Sequence, residues 1–235
     1  MKKILVLLML FFVGLSASAD FVELETNVNM ANFWEKYAKE TQKVTEVGSK
    51  LINANKLDKR IPIKLERNLN VVNAFSDKID KTVRIYTGTL RYIDNDDELA
   101  SILGHEMAHS LDNYDGLFKW IDMSFNSKEY EFKADLIGID LMVKAGYNPI
   151  AAITCMNKWM GEDYWDFGVF TTHPKTSRRL LEMYKYIYRK YPWALKTEMV
   201  HNVNYENFTY SAQKEINLFE QKEKERATQQ NREAL

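Results

Sequence analysis

Residues 97–111 read DELASILGHEMAHSL, and this stretch decides how the rest of the chain is interpreted. Within it, His105 and His109 are four residues apart, and on a helix such side chains lie one turn apart on the same face. Two imidazoles in that position can reach one Zn²⁺ ion. The chain has only four histidines, so half of them stand at ligand spacing. Residues 105–109 therefore predict half of a metal site on a helix.

Glu106 follows the first of these histidines and would project beside a bound metal. A carboxylate in that position can act as a general base on the attacking water, which makes a zinc-dependent peptidase the first hypothesis. The alternative is an ordinary amphipathic helix with two surface histidines. An apolar stripe counts against it, because such a stripe predicts a helix packed into a core. The stripe consists of Leu99, Ile102, Leu103, Met107 and Leu111, and Asp96 or Asp97 can start the helix.

The two histidines need a further partner, since a catalytic zinc site usually takes three protein ligands plus water. Residues 129–135 read EYEFKAD and predict a second helix, on which Glu131 and Asp135 share a face. Glu131 would complete a His₂Glu set, and Asp135 could accept a hydrogen bond from a ligand imidazole. A helix with solvated acids is the alternative, and Glu129 shows that not every acid here needs a role. These residues alone leave the two interpretations open.

Length and composition fit one globular domain with a substantial core, since 46% of the 235 residues are hydrophobic. The 32 basic and 33 acidic side chains nearly balance, and the basic ones are scattered along the chain. We therefore expect no nucleic-acid partner. Cys155 is the only cysteine, so no disulfide forms within the fold. Its apolar neighbours predict a packed helix, and we expect a core position rather than a nucleophile.

The N-terminus has the layout of a secretory signal peptide. Lys2 and Lys3 precede an apolar run over residues 4–15, and small residues at 16–19 follow it. We expect cleavage after Ala19, export, and the periplasm as the location of the mature chain. A retained membrane anchor is the rival interpretation, but the run is short for a span of about 20 residues.

Between the N-terminal segment and the histidine motif, the sequence predicts one helix followed by a small sheet. Apolar spacing predicts a helix over residues 29–55 that covers the sheet. Strands are expected at residues 61–65, 71–75 and 82–87, the last two as a hairpin, with Pro62 marking an edge. A sheet edge beside the metal helix could bind an extended substrate through main-chain hydrogen bonds. A fully covered, purely structural sheet is the open alternative.

The second half predicts three further helices and a polar end. The helices are expected at about 127–145, with a stop at Gly146 and Pro149, at 149–160 and at 175–190. Residues 112–128 form an apolar connection that could be a lid or a partner surface, although burial is the commoner outcome. From Glu220 the chain is polar and charged, and we expect a frayed or disordered tail over 220–235.

Several separate blocks, in the same order, resemble the M48-type zinc metallopeptidases of the gluzincin group. The blocks are Asn73-Ala74-Phe75, Asp97-Glu98-Leu99-Ala100, His105-Glu106-Met107-Ala108-His109, Glu131-Phe132-Lys133-Ala134-Asp135, Ala145-Gly146-Tyr147-Asn148-Pro149, and His173-Pro174 followed by Arg179. The resemblance covers roughly residues 71–183. It implies a zincin-like α+β fold, mainly helical with a small β-sheet next to the metal helix, and a peptidase domain over residues 20–219.

The resemblance also implies roles for single residues. One Zn²⁺ ion per chain would be held by His105, His109 and Glu131. Glu106 would be the general base, and Asp135 would support a ligand from behind. His173 would lie near the metal, where it either stabilises the oxyanion or occupies the open coordination position. Arg179 would organise the site or contact the developing charge.

The function expected from these features is a zinc metalloendopeptidase that cuts exported or misfolded envelope proteins, in a role of protein quality control. Its partners would be polypeptide substrates, with a membrane-surface or envelope-assembly partner at residues 112–128. The alternative is a zinc-stabilised, chaperone-like binding protein with weak or gated activity, suggested by 112–128 and by the aromatic segment 159–170. Glu106 beside intact ligands favours the enzyme, because a binding module needs no base.

Overall fold

The computed structural model describes residues 30–57, 61–77, 79–112, 127–159 and 176–233. The described chain is mainly helical, with one small sheet. Its elements are α1 (residues 30–55), β1 (Ile63–Glu66), β2 (Ala74–Ser76), β3 (Val83–Tyr86), α2 (Asp96–Asp112), α3 (Ser127–Lys144), α4 (Ile150–Trp159), α5 (Thr176–Lys190), α6 (Val203–Ser211) and α7 (Gln213–Glu233). Short 3₁₀ turns span Thr89–Tyr92, Pro192–Lys196 and Glu198–His201. The chain divides into two compact units between Lys43 and Val44, and the second unit contains the sheet and every helix from α2 onward.

The sheet has three strands in the order β1-β3-β2. The central strand β3 pairs in parallel with β1 and antiparallel with β2, so the expected hairpin of the last two strands is present. Val83 and Ile85 of β3 are fully buried, whereas Arg84 between them is half-buried, as strand alternation requires. Pro62 immediately precedes the edge strand β1, where a missing N–H costs no ladder bond.

The part of α1 from residue 44 onward lies against the sheet, as the sequence predicts. Its buried residues are Val44, Val47 and Leu51. The contact is close enough that a methyl group on Gly48 would fall 2.1 Å from Cδ1 of Ile63 in β1. Asn55 donates a hydrogen bond of 2.9 Å to the carbonyl of Leu141. This half of α1 therefore joins β1 to α3.

Two side-chain hydrogen bonds, in an arrangement close to a capping box, hold the start of α2. Oδ1 of Asn95 accepts a hydrogen bond of 2.9 Å from the N–H of Glu98, and the Glu98 carboxylate accepts one of 2.9 Å from the N–H of Asp94. The sequence assigns the start to Asp96 or Asp97, and Asp96 is the first helical residue, with Asn95 as the cap that sequence reasoning overlooked. Three acids in the first turn suit the positive end of the helix dipole.

The predicted stop of α3 at Gly146 is confirmed, and its hydrogen bonds form a Schellman motif. Gly146 has a φ of +75°, a left-handed conformation that glycine adopts without a steric penalty. The N–H of Gly146 donates a hydrogen bond of 3.0 Å to the Val143 carbonyl, and the N–H of Tyr147 donates one of 2.9 Å to the Met142 carbonyl. The next residue, Asn148, then donates to Asp97 at 2.8 Å, which ties this turn to the start of α2.

Helices α4 to α7 share an apolar core with α3. Its fully buried members include Ile150, Ile153 and Ile187. Cys155 on α4 is also buried, so the predicted core position is confirmed. Burial, reinforced by the nearby Glu98 carboxylate, raises the pKa of the thiol to about 12 and keeps it protonated at neutral pH.

The C-terminal segment differs from the predicted frayed tail, because α7 continues as a regular helix to Glu233. Its first turns dock on α5, where Tyr184 donates to Glu220 at 2.5 Å and Arg189 to Glu223 at 2.8 Å. Beyond Glu223 the helix is exposed, and side chains four residues apart, such as Gln229 and Glu233, bond to each other. Gln, Glu, Lys and Arg are good helix formers, so polarity alone was a poor reason to predict disorder.

Several predictions concern residues outside the described ranges. The signal peptide over residues 1–19, His173, and most of the segments 112–128 and 159–170 belong to this group. Among the helices that the structure does describe, none combines the length and the apolar character needed to cross a membrane.

Candidate metal centre

Three side chains meet where α2 and α3 cross. His105 and His109 project from α2 toward Glu131 of α3, and their ligand atoms all lie within 4.8 Å of one another. The two Nε2 atoms are 3.1 Å apart. His109 Nε2 lies 3.3 Å from one Glu131 oxygen, and His105 Nε2 lies 3.5 Å from the other. The structure thus brings together the three residues that the sequence proposes as ligands.

These separations fit a tetrahedral metal ion. With Zn–N and Zn–O bonds of about 2.0–2.1 Å, neighbouring ligand atoms of a tetrahedron lie about 3.3–3.4 Å apart. The two Nε2 atoms, 3.1 Å apart, lie near that value, and each of them has a different Glu131 oxygen at 3.3 or 3.5 Å. Two imidazoles and one carboxylate are also a donor set that zinc accepts in catalytic sites. A tetrahedral ion held by these three residues would keep one position for water or substrate.

Asp135 lies behind His105, one helical turn beyond Glu131. Its Oδ1 is 3.0 Å from Nδ1 of His105. The N–H is not directed straight at that oxygen, so Nδ1 is a buried nitrogen without a well-aligned hydrogen bond. The short distance makes Asp135 the carboxylate that faces this nitrogen. A proton on Nδ1 leaves the Nε2 lone pair free for a metal.

Arg179 of α5 completes a buried polar network behind the ligands. Its side chain is only 3% exposed and makes a two-pronged contact with Asp135, Nε to Oδ2 at 2.8 Å and Nη2 to Oδ1 at 2.6 Å. Its Nη1 also lies 3.2 Å from Glu131. Of the two roles that the resemblance implies, these contacts favour the organiser of the site. They link α5 to Glu131 and Asp135 of α3 through one guanidinium group.

The electrostatics of the cluster favour positive charge between the acids. Burial by itself lowers the pKa of His105, but the close Asp135 and Glu131 carboxylates outweigh it and raise the pKa to about 10. Burial raises the pKa of Asp135, but Arg179 outweighs it and the pKa is lowered. The Asp135 carboxylate is therefore held in its ionised form by Arg179 and His105.

Glu106 follows His105 on α2 and is half-buried. Its negative charge adds to that of Asp135 and Glu131 in raising the pKa values of His105 and Arg179 against the effect of burial. It is not one of the three clustered ligands. A carboxylate beside a metal cluster, rather than within it, is where a general base would be needed.

The strand β2 lies next to the second half of α2. Its Ser76 shares a hydrogen bond of 2.6 Å with Ser110, which follows the candidate ligand His109 and is fully buried. Sequence reasoning missed Ser110, because a serine in a helix carries no local signal of a partner 34 residues away. Within β2, Phe75 is paired opposite Arg84 of β3. The ladder hydrogen bonds run from Asp77 N–H to the Thr82 carbonyl and from Tyr86 N–H to the Asn73 carbonyl, so the main-chain groups of the alternate residues Ala74 and Ser76 point away from β3.

Comparison with known proteins agrees with this geometry. The model of peptidase family M48 matches residues 38–117 and 117–187, a range that contains all three clustered ligands and Arg179. One similar protein is the mitochondrial metalloendopeptidase OMA1 of Arabidopsis thaliana. It is 28% identical over an alignment of 143 residues, which covers 48% of this chain and 29% of the relative. The chain thus spans less than a third of that relative. The family model covers more than half of the present chain, which therefore belongs to peptidase family M48.

Proposed function

We propose that this chain is a zinc-dependent metalloendopeptidase. The observation that carries the proposal is the meeting of His105, His109 and Glu131, whose ligand atoms lie within 4.8 Å of one another, on a helix that also carries Glu106. Membership of a peptidase family supports the reaction class, and the similar protein is named as a metalloendopeptidase. Zinc is favoured over other ions by the two imidazoles and by the tetrahedral spacing of the donors.

The proposed chemistry divides hydrolysis among named side chains. A bound Zn²⁺ ion would polarise the scissile carbonyl and acidify the attacking water. Glu106 accepts a proton from that water and returns it to the leaving amine. Asp135 and Arg179 keep His105 and Glu131 in position throughout. His173, which lies outside the described residues, is proposed to stabilise the oxyanion or to occupy the open position.

We further propose that substrates bind as extended polypeptides along β2. The outward main-chain groups of Ala74 and Ser76 supply hydrogen-bond partners for another strand. The Ser76–Ser110 contact places this edge beside the helix that carries the histidines. A peptide substrate N-methylated at a residue near the scissile bond should show a raised KM. An unchanged KM for every methylated position would contradict strand addition.

The proposed setting is the bacterial periplasm, with unfolded or misassembled envelope proteins as substrates. This part rests on the signal-peptide layout of residues 1–19. Cell fractionation followed by N-terminal sequencing tests it, and the mature chain is expected to begin at Asp20. A full-length chain recovered from the cytoplasm would refute the proposal on location.

Replacement of Glu106 tests the reaction. The Glu106→Gln variant should retain zinc but lose casein cleavage by about 10²–10⁴-fold, the usual contribution of a general base. The matched control is Glu129→Gln on α3, an exposed acid outside the cluster, which should cleave at the normal rate. A chelator should abolish cleavage by the unaltered chain, and zinc should restore it.

Two outcomes would count against the proposal in different ways. Undiminished proteolysis by Glu106→Gln would remove Glu106 from the role of base. Bound zinc in the unaltered chain without cleavage of any unfolded substrate would favour the binding-protein alternative.

A further inference from the structure

Two glycines face each other where the ligand-bearing helices cross. Gly104 precedes His105 on α2, and Gly138 lies on α3. A Cβ atom on Gly138 would fall 2.9 Å from the backbone nitrogen of His105 and 3.2 Å from its Cα. A Cβ atom on Gly104 would fall 3.1 Å from the carbonyl oxygen of Gly138. The two helices therefore touch through their backbones at this point.

Conformational freedom does not explain these glycines. Both lie inside helices, and Gly146 is the only glycine with a positive φ in the described part of the chain. Glycine inside a helix is less favourable than alanine. The reason for glycine at both positions is therefore space, since the neighbouring atoms belong to backbone and cannot rotate away as a side chain would.

The contact falls on the metal centre itself. Glu131, Asp135 and Gly138 follow one another at spacings of four and three residues, so they share one face of α3. Glu131 reaches the histidines, and Asp135 lies behind His105. Gly138 lies against the backbone of His105. The separation of the two backbones at Gly138 thus sets how far the ligands of α2 stand from the acids of α3.

We propose that Gly138, together with Gly104, is a positioning residue for the metal centre. Glycine at this crossing lets α2 and α3 approach until the imidazole and carboxylate donors reach tetrahedral spacing. A methyl group at Gly138 would push the backbone of His105 outward by several tenths of an ångström. Metal coordination tolerates only about 0.2 Å in its bond lengths, so the ligand set would be distorted. This inference rests on the proposed zinc site.

The test measures metal binding directly. Gly138→Ala should weaken Zn²⁺ binding by about 10- to 100-fold in chelator competition, the range seen when support around metal ligands is lost. The visible absorption spectrum of the Co²⁺-loaded protein should also change, because it reports coordination geometry. Gly104→Ala should show the same changes with smaller amplitude, because its nearest contact is longer. If helix propensity alone mattered, both alanines would raise the thermal midpoint, whereas we expect both to lower it.

Gly48→Ala is the matched control. Gly48 is also a helical glycine in a tight contact, but the neighbour is the end of the Ile63 side chain, at the sheet. Its alanine variant should shift the thermal midpoint at most, while Zn²⁺ affinity and the Co²⁺ spectrum stay as in the unaltered chain. Equal changes of affinity and spectrum in Gly48→Ala would show a general loss of stability and would overturn the inference.

The outcomes separate this inference from the proposed function. If the unaltered chain binds no Zn²⁺, the proposed function fails. If it binds Zn²⁺ and a folded Gly138→Ala variant binds equally well with the same Co²⁺ spectrum, only the positioning role is overturned. Should Gly138→Ala not fold, Gly104→Ala decides the matter by the same two measurements.

Discussion

Helix α5 takes part in two regions that are built on different principles. Its first turn carries Arg179 into the metal centre, where the 3% exposed guanidinium holds Asp135 and Glu131. Two turns later Ile187, fully buried, packs into the apolar core shared with α4 and α6. The first contact is directional and leaves charge in the interior, whereas the second depends only on shape and apolar area.

The difference shows how stability and geometry are divided in this protein. Buried ion pairs contribute little net stability, because desolvation offsets much of their attraction, but they hold atoms in one arrangement. Apolar packing stabilises the fold while tolerating small displacements. We therefore expect a substitution that unpairs a buried charge at the candidate metal centre to change both geometry and stability, and one in the apolar core to change stability alone.

Replacing Arg179 should have the largest effect. Arg179→Ala leaves the buried Asp135 carboxylate without its cation, which should lower the free energy of unfolding by about 3–5 kcal/mol. Zn²⁺ affinity should fall as well, because Glu131 and His105 lose their common support. Urea unfolding and chelator competition measure the two quantities.

Arg189→Ala, on the same helix, is the control for the arginine itself. Arg189 is half exposed and pairs with Glu223 rather than with the metal centre. Only a small change in stability and no change in Zn²⁺ affinity are expected. Equal losses of stability and Zn²⁺ affinity in Arg179→Ala and Arg189→Ala would contradict a specific role of the buried Arg179 contacts.

Ile187→Ala should have the next largest effect, and on stability alone. It removes a fully buried side chain from the core and should cost about 2–5 kcal/mol in urea unfolding. Folded protein should bind Zn²⁺ with normal affinity, in contrast to Arg179→Ala. A comparable loss of Zn²⁺ affinity would show that the two regions of α5 are not independent.

The smallest effect is expected at Asp140, where a polar contact lies at the edge of the apolar core. Burial raises the pKa of Asp140, but hydrogen bonds from Lys190, Tyr191 and Tyr186 outweigh it and lower the pKa. A lowered pKa means stability that is present above the ordinary value and is lost as the pH falls through the lowered one.

The measurement at Asp140 compares urea unfolding of Asp140→Asn and the unaltered chain between pH 7 and about pH 2. Asp140→Asn should be less stable by under about 1 kcal/mol at neutral pH, because the site is partly exposed to solvent. The difference should vanish at the acid end. If the stability difference between the unaltered chain and Asp140→Asn grew as the pH fell, the pKa of Asp140 would not be lowered by folding and the prediction would be refuted.

Much of the fold was predictable from local patterns. The helix that carries His105, the hairpin of β2 and β3, and the stop at Gly146 all follow from spacing or turn chemistry between near neighbours. The tail beyond Glu220 was predicted wrongly, because low hydrophobicity was weighed above good helix propensity and the docking of Glu220 and Glu223 on α5.

The candidate site was predictable in its members but not in its arrangement. Ligand spacing within α2 nominates two histidines, and resemblance to a family nominates Glu131, Asp135 and Arg179. The contact of Ser110 with Ser76, and that of Gly138 with His105, had no local pattern to reveal them. Each joins elements that are far apart in the chain.

The amino-acid sequence by itself determined which side chains can share a helix face, because helical periodicity is a property of neighbouring residues. It therefore determined that His105 and His109 form one pair and that Glu131 and Asp135 form another. The tertiary structure alone decided how the two pairs meet. That meeting depends on the backbone contact at Gly138 and on Arg179, 44 residues beyond Asp135, and such distances between donor atoms arise only when separate helices pack.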